Sequence, residues 1–260
     1  MVTVRSGTAS DAGRVRELNE DSSLTMATMF AVADGMGGHA AGEVASRLAV
    51  ARLGRLGDRP GLKPADVRAE LALANEEILA SAAAHPERAG MGTTVAGLCL
   101  LRFAGSEHWV VFNIGDSRVY RFAEDSLSRM TVDHSEVEEL VAAGVISAAE
   151  AREHPRRNVV TRALGMDPAP DADLWMFPPT PGERFLICSD GLSTELGDPE
   201  IAAVLWAEPV AQRAARTLVR LAVEAGGRDN VTVVVVDHVA CDDDTASEDT
   251  LPRSQAVETR

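Results

Sequence analysis

Six short stretches rich in Val, Ile and Phe, many bounded by glycine or aspartate, punctuate the chain at residues 28–33, 94–102, 108–114, 118–122, 184–189 and 231–237. Their composition and boundaries predict β-strands. Several are apolar along most of their length instead of alternating, as expected of strands covered on both faces. Helices are therefore needed to cover them. Residues 65–84 carry Val67, Leu71, Ala74, Ile78 and Ala82 at helical spacing, and residues 42–56 carry a looser stripe of Val44, Leu48, Ala51 and Leu53. Asp198-Pro199-Glu200 predicts a further helix start, with Asp198 as the cap, and residues 210–225 predict another helix stopped by Gly226-Gly227. Two helices sit together early and two late, while many strands are joined by short turns such as Gly115-Asp116-Ser117. This is not the strand–helix alternation of a doubly wound sheet. Antiparallel sheets with helices on their outer faces, an α+β arrangement, fit the order better.

The ends of these runs carry the chemistry. One ends in Asp34-Gly35, another leads into Asp190-Gly191, and a third starts directly after Gly227-Arg228-Asp229-Asn230. A lone Asp-Gly is ordinarily a turn. Repeated at the ends of buried strands, such carboxylates are well placed to hold hard divalent cations, which take oxygen ligands. Phosphate-monoester hydrolysis is extremely slow without catalysis, and a two-metal site supplies both charge neutralisation and an activated water. Asp34, the backbone carbonyl of Gly35, Asp190 and Asp229 meet that need, with Asp116 a fourth carboxylate on a tight turn. Arg16 offers a planar fork suited to a phosphate. Glu20 and Asp21 are suited to receive hydrogen bonds from waters on the metals, although alone this segment reads as a mixed-charge loop. Ser189 precedes Asp190 but lacks the Gly-x-Ser-x-Gly elbow of a serine nucleophile.

Composition narrows the alternatives. A net charge of −15 argues against a nucleic-acid partner, since phosphate-backbone binding draws on Lys and Arg. The sequence shows no signal peptide and no apolar run long enough to span a bilayer, so no membrane role is expected. Three cysteines without close pairing fit a reducing cytoplasm, with Cys99 and Cys188 as small core residues. His85, His108, His154 and His238 have no metal-ligand spacing. Met26, Met29 and Met36 read as packing residues, and Trp109 and Trp206 as core or half-buried. Residues 1–239 read as one domain, and the acidic stretch 240–260, opening with Cys241-Asp242-Asp243-Asp244, as a disordered tail.

Across residues 6–238 the chain resembles bacterial metal-dependent serine/threonine protein phosphatases of type 2C, the PPM family. The resemblance lies in Arg16…Asn19-Glu20-Asp21; Ala33-Asp34-Gly35-Met36-Gly37-Gly38-His39; Gly92-Thr93-Thr94; Asn113-Ile114-Gly115-Asp116-Ser117-Arg118; and Thr131…Asp133-His134-Ser135. It continues through Asn158-Val159-Val160-Thr161-Arg162-Ala163-Leu164-Gly165, Ser189-Asp190-Gly191 and Gly227-Arg228-Asp229-Asn230-Val231-Thr232, in the family's order. The resemblance implies a four-layer αββα sandwich, two antiparallel sheets flanked by helices, with a small flap at about 135–162. It implies two Mn²⁺ or Mg²⁺ ions, with Asp34 bridging both, the Gly35 carbonyl on the first, and Asp190 and Asp229 on the second. Asp116 with Asp190 would hold a third ion, Glu20 and Asp21 would order waters, and Arg16 would grip the phosphate. A metal-bridging hydroxide would attack phosphorus in line. Animal members carry a histidine where this chain has Met36, so the general acid is left open; His39 reads as a structural residue. The flap would contain helices at 136–143 and 148–153, with Arg156, Arg157 and Arg162 either selecting phosphoproteins or pairing with Glu150 and Glu153. The implied partners are phosphorylated proteins and an opposing Ser/Thr kinase, for a cytoplasmic monomer. A phosphoprotein-binding pseudophosphatase and a nucleic-acid phosphodiesterase are the alternatives.

Overall fold

Alternate residues of the run 231–236 enter different cores, as a strand's period of two demands. Val231, Val233 and Val235 join a cluster with Leu218 and Ala222. Val234 and Val236 join another with Phe30, Trp109 and Phe185. Each is fully buried, which stabilises by about 1.5–3 kcal/mol per side chain.

The structure is a computed structural model that describes residues 2–37, 41–57, 59 and 61–239. Strands β1 (Thr3–Asp11), β2 (Ser22–Thr25), β3 (Met29–Ala33) and the short β4 (Gly35–Met36) precede helices α1 (Ala41–Gly54) and α2 (Pro64–Ala84). Next come β5 (Gly92–Thr93) and two hairpins in different sheets, β6 (Val95–Phe103) with β7 (Ser106–Ile114) and β8 (Arg118–Ala123) with β9 (Ser126–Arg129). Short helices α3 (Glu136–Ala142) and α4 (Ala148–Glu153) lead to β10 (Asp173–Phe177) and β11 (Arg184–Cys188). The last elements are α5 (Asp190–Glu195), α6 (Asp198–Ala207), α7 (Ala211–Ala225) and β12 (Val231–Val239).

Two five-stranded sheets result, ordered β1-β12-β11-β8-β9 and β10-β7-β6-β3-β2, with β4 and β5 as a separate two-stranded ladder. All pairings are antiparallel. Helices α1 and α2 cover the second sheet through Ala45, Leu53, Leu71 and Ile78. Helices α5, α6 and α7 cover the first through Leu192, Ile201 and Leu218. Between the sheets lie Phe30, Leu98, Trp109, Phe185 and Ile187. This is the αββα sandwich expected from the sequence.

Several details differ from expectation. Asp198 is not the cap of its helix. Gly197 takes that position, the Glu200 carboxylate accepts from the Gly197 N–H at 2.9 Å, and Asp198 already lies inside α6. Trp206 is 69% exposed, not half-buried, because it stands on the outer side of α6, whose buried residues are Ile201, Val204 and Leu205. The flap arginines do not pair with Glu150 or Glu153. Arg156 pairs with Glu136 and Arg162 with Asp173, while Glu150 is spent on the Ser147 N–H that starts α4. Cys99 and Cys188 are buried, as expected. His39 and the tail 240–260 lie outside the described residues.

Candidate active site

Both sheets deliver carboxylates to one end of the sandwich. Asp34 directly follows β3 of the second sheet, and Asp116 lies in the β7–β8 turn that crosses from the second sheet to the first. Asp190 opens α5 after β11, and Asp229 stands two residues before β12. With Arg16, Glu20, Met36, Thr94, Asn158 and Val160, they line a single cavity of about 230 Å³. Every carboxylate expected there from the sequence lines it except Asp21, which lies behind it.

The backbone around Asp34 is clamped by the Gly92-Thr93-Thr94 segment. The Asp34 N–H donates to Thr94 Oγ1 at 3.1 Å, and its carbonyl accepts from Thr94 N at 2.9 Å and Thr93 Oγ1 at 2.8 Å. Gly35 lies against α1, where a Cβ would sit 2.2 Å from the Gly42 carbonyl oxygen and 2.5 Å from that of Glu20. Backbone cannot yield as a flexible side chain would. Gly35→Ala is therefore expected to destabilise the protein by about 1–3 kcal/mol, read as a lower urea midpoint with an unchanged slope.

The carboxylates are oriented by protein groups. Asp229 accepts from Arg16 Nη2 at 2.7 Å and from the Asn230 N–H at 2.9 Å. Arg16 is thereby turned onto Asp229, and that hydrogen bond raises its pKa further. Glu20 accepts from the Gly42 N–H at 3.1 Å, near the start of α1, where the helix dipole favours a negative charge. Buried Asn230 ties the N-terminal loop to this end, accepting from Glu20 N at 2.9 Å and donating to the carbonyls of Ala12 and Leu18. Ser189 is no nucleophile: its fully buried hydroxyl donates to Asp21 Oδ2 at 2.8 Å. The other oxygen, Asp21 Oδ1, is buried with no hydrogen-bond partner. Met36 lines the cavity instead of only packing, where it offers no proton.

Desolvation, followed by repulsion from Asp21, Asp190 and Asp116, holds the Asp34 carboxyl well above its ordinary value. Desolvation likewise raises Asp190, pushes Asp21 up to about 7 and pushes Asp116 up to about 8. A carboxyl protonated in the fold but ionised in the unfolded chain favours unfolding as pH rises. In chelator-treated protein the urea midpoint is thus expected to fall between about pH 4 and about pH 8. The limit per group is about 1.4 kcal/mol per pH unit, and partial exposure to the pocket keeps the fall below it. Adding Mn²⁺ at the upper end of that range should reverse it.

Among the described residues no three His, Cys, Asp or Glu side chains meet as a finished coordination cluster, since Asp229, Glu20 and Asp21 are each drawn toward protein donors. The donor set nevertheless fits divalent cations. Five carboxylates line the cavity with Arg16 as the sole basic side chain among its lining residues. All are hard oxygen donors of the kind Mg²⁺ and Mn²⁺ take.

Three contributors carried no assigned role in the sequence. Thr94, Asn158 and Asn230 stand in recognisable blocks, so their presence was visible but their contacts were not.

The sequence profile described as Protein phosphatase 2C matches residues 14–225. The serine/threonine protein phosphatase PstP of Mycobacterium tuberculosis is 43% identical over 247 residues, covering 93% of this chain and 46% of that protein. The chain thus spans about half the length of this curated relative. The serine/threonine phosphatase Stp of Listeria monocytogenes is 34% identical over 238 residues, covering 87% of this chain and 93% of the relative. Among solved structures, the M. tuberculosis phosphatase PstP/Ppp superposes with a TM-score of 0.85 at 40% identity, covering 92% of this chain and all (100%) of that one. The PstP catalytic domain in complex with two manganese ions gives 0.84, with the same identity and coverage.

Proposed function

The chain belongs to the protein phosphatase 2C family, and from that membership we propose that it hydrolyses phosphoserine and phosphothreonine in proteins with Mn²⁺ or Mg²⁺. One observation carries the reading: five carboxylates and a single arginine share one cavity at the junction of the two sheets. Asp34, the Gly35 carbonyl, Asp190 and Asp229 would hold two cations, and Asp116 with Asp190 a third. Such cations neutralise phosphoryl oxygens and make water a competent nucleophile near neutral pH. Arg16 would exchange Asp229 for the phosphate, whose two negative charges and several oxygens suit the guanidinium fork. Glu20 and Asp21 would order the surrounding water. Met36 gives no proton, so the leaving oxygen would take its proton from solvent. The family profile and the phosphatase relatives favour turnover over a binding-only pseudophosphatase.

Residues 135–162 would act as a flap over the substrate, since Asn158 and Val160 line the cavity. Among the described residues no helix is long and apolar enough to cross a membrane. A cytoplasmic monomer opposing a Ser/Thr kinase belongs to the same proposal, and the free, buried Cys99 and Cys188 agree with a reducing compartment. Phosphate release from a phosphothreonine peptide tests the reading. Mn²⁺-dependent release abolished by a chelator is expected; folded, Mn²⁺-loaded protein that releases none would refute it.

A further inference from the structure

Glu195 closes α5, the helix that Asp190 opens. Its side chain is 2% exposed, and nothing in the proposed reaction uses it. Three bonds from Arg228 engage it: the backbone N–H to Oε1 at 3.0 Å, Nε to Oε1 at 2.9 Å and Nη2 to Oε2 at 2.9 Å. Those bonds hold the Glu195 carboxyl below its ordinary value. Arg228 directly precedes Asp229. Gly226 packs on the same carboxylate so closely that a Cβ there would lie 2.5 Å from Oε2.

The loop carrying Asp229 is also held on a second side. The Arg14 N–H donates to the Gly227 carbonyl at 2.7 Å. A Cβ on Gly13 would lie 2.4 Å from the Asp229 carbonyl oxygen. Residues 226–229 are therefore gripped between the β1–β2 loop and the end of α5. Charge-assisted, bidentate arginine–carboxylate pairs are the strongest and most directional hydrogen bonds a protein offers. A buried carboxylate deprived of its partner is strongly destabilising.

We propose that Glu195 is a positioning residue: through Arg228 it fixes Asp229 relative to Asp190 and thereby sets the affinity of the cation these two aspartates would share. This rests on the reading that Asp190 and Asp229 are metal ligands. Groups that orient metal ligands from outside typically contribute 10–100-fold to metal affinity.

The test is calorimetric titration of the full chain with Mn²⁺ alone, for wild type, Glu195→Gln and Arg228→Lys, beside their melting curves. Gln keeps the shape but turns an amide N–H₂ toward the guanidinium. Glu195→Gln is expected to bind Mn²⁺ about tenfold or more weakly, with Arg228→Lys showing a smaller loss in the same direction. If Glu195→Gln does not fold, Arg228→Lys decides alone, since its side chain lies largely in solvent. Variants that melt earlier yet bind Mn²⁺ within about twofold of wild type would overturn the proposal alone, marking a purely structural pair. Wild type that takes up no Mn²⁺ would overturn the proposal and the metal reading together.

Discussion

Asp34→Asn is expected to lower kcat by at least about 10²–10³-fold, the loss typical when one preorganised electrostatic group is removed from a reaction centre. At the same time it should make the chelator-treated protein more resistant to urea near neutral pH. Both effects have one cause. Asp34 is desolvated among Asp21, Asp190, Asp116 and Asp229, which hold its carboxyl well above the ordinary range. Asparagine keeps the volume and removes the charge, relieving the repulsion the fold otherwise bears. The same charge is what would attract cations to the cavity. Activity and stability should therefore move in opposite directions, as they do where a site is strained for function. Peptide turnover and urea titration on one preparation check the pair of outcomes. A variant retaining a tenth of wild-type kcat would remove Asp34 from the centre of the reaction.

The largest effect on stability should come from Arg184, far from the cavity. Its guanidinium bonds Asp237 through Nε at 2.6 Å and Nη2 at 3.0 Å. It also donates to the carbonyls of Leu205 at 2.7 Å, Glu208 at 2.6 Å and Pro209 at 2.9 Å. One side chain thus joins β11, β12 and the α6–α7 corner. Arg184→Met leaves a carboxylate and three carbonyls without that donor. The cost of breaking so enclosed a pair is about 3–5 kcal/mol, or a fall in Tm of about 10 °C for a domain of this size. Thermal unfolding monitored by circular dichroism measures it. A fall of only a degree or two would mean that water reaches these groups.

The six strands read from the sequence are the six inner strands: β3, β6 and β7 of one sheet, and β8, β11 and β12 of the other. Of the six missed, β1, β2, β9 and β10 are the four edges of the two large sheets, and β4 and β5 are the two-residue strands of the separate ladder. Inner strands are buried on both faces and reveal themselves by apolar runs. Edge strands face water along one side and are kept polar or short, which guards against unwanted pairing. Thr3–Asp11 reads TVRSGTASD, with Gly7 its only residue that is fully buried. Its strand character is conferred by β12, not by its own composition.

Within the site the division is similar. Aspartates after apolar runs could be found because strand ends are legible. The contacts of Asn230 and Ser189 could not, because they join residues about 170 to 220 positions apart in the chain. Asp198 was misread because an aspartate before proline satisfies the local rule for a helix cap equally well one position earlier or later.

The pairing of β1 with β12, from Thr3 opposite Val239 to Asp11 opposite Val231, has a consequence for synthesis. β1 is made before the other described strands and β12 after them, and β12 is the neighbour of β1 in its sheet. At ordinary elongation rates the early segment waits on the order of 10–50 s for its partner. Arg16, Glu20 and Asp21, which follow β1, wait with it for Asp229. A nascent chain on the ribosome can form the second sheet early yet has no complete site until the first sheet closes. Contacts so distant in sequence also slow folding. The candidate site is thus incomplete at first, and the pairing of β12 with β1 is the event that completes it.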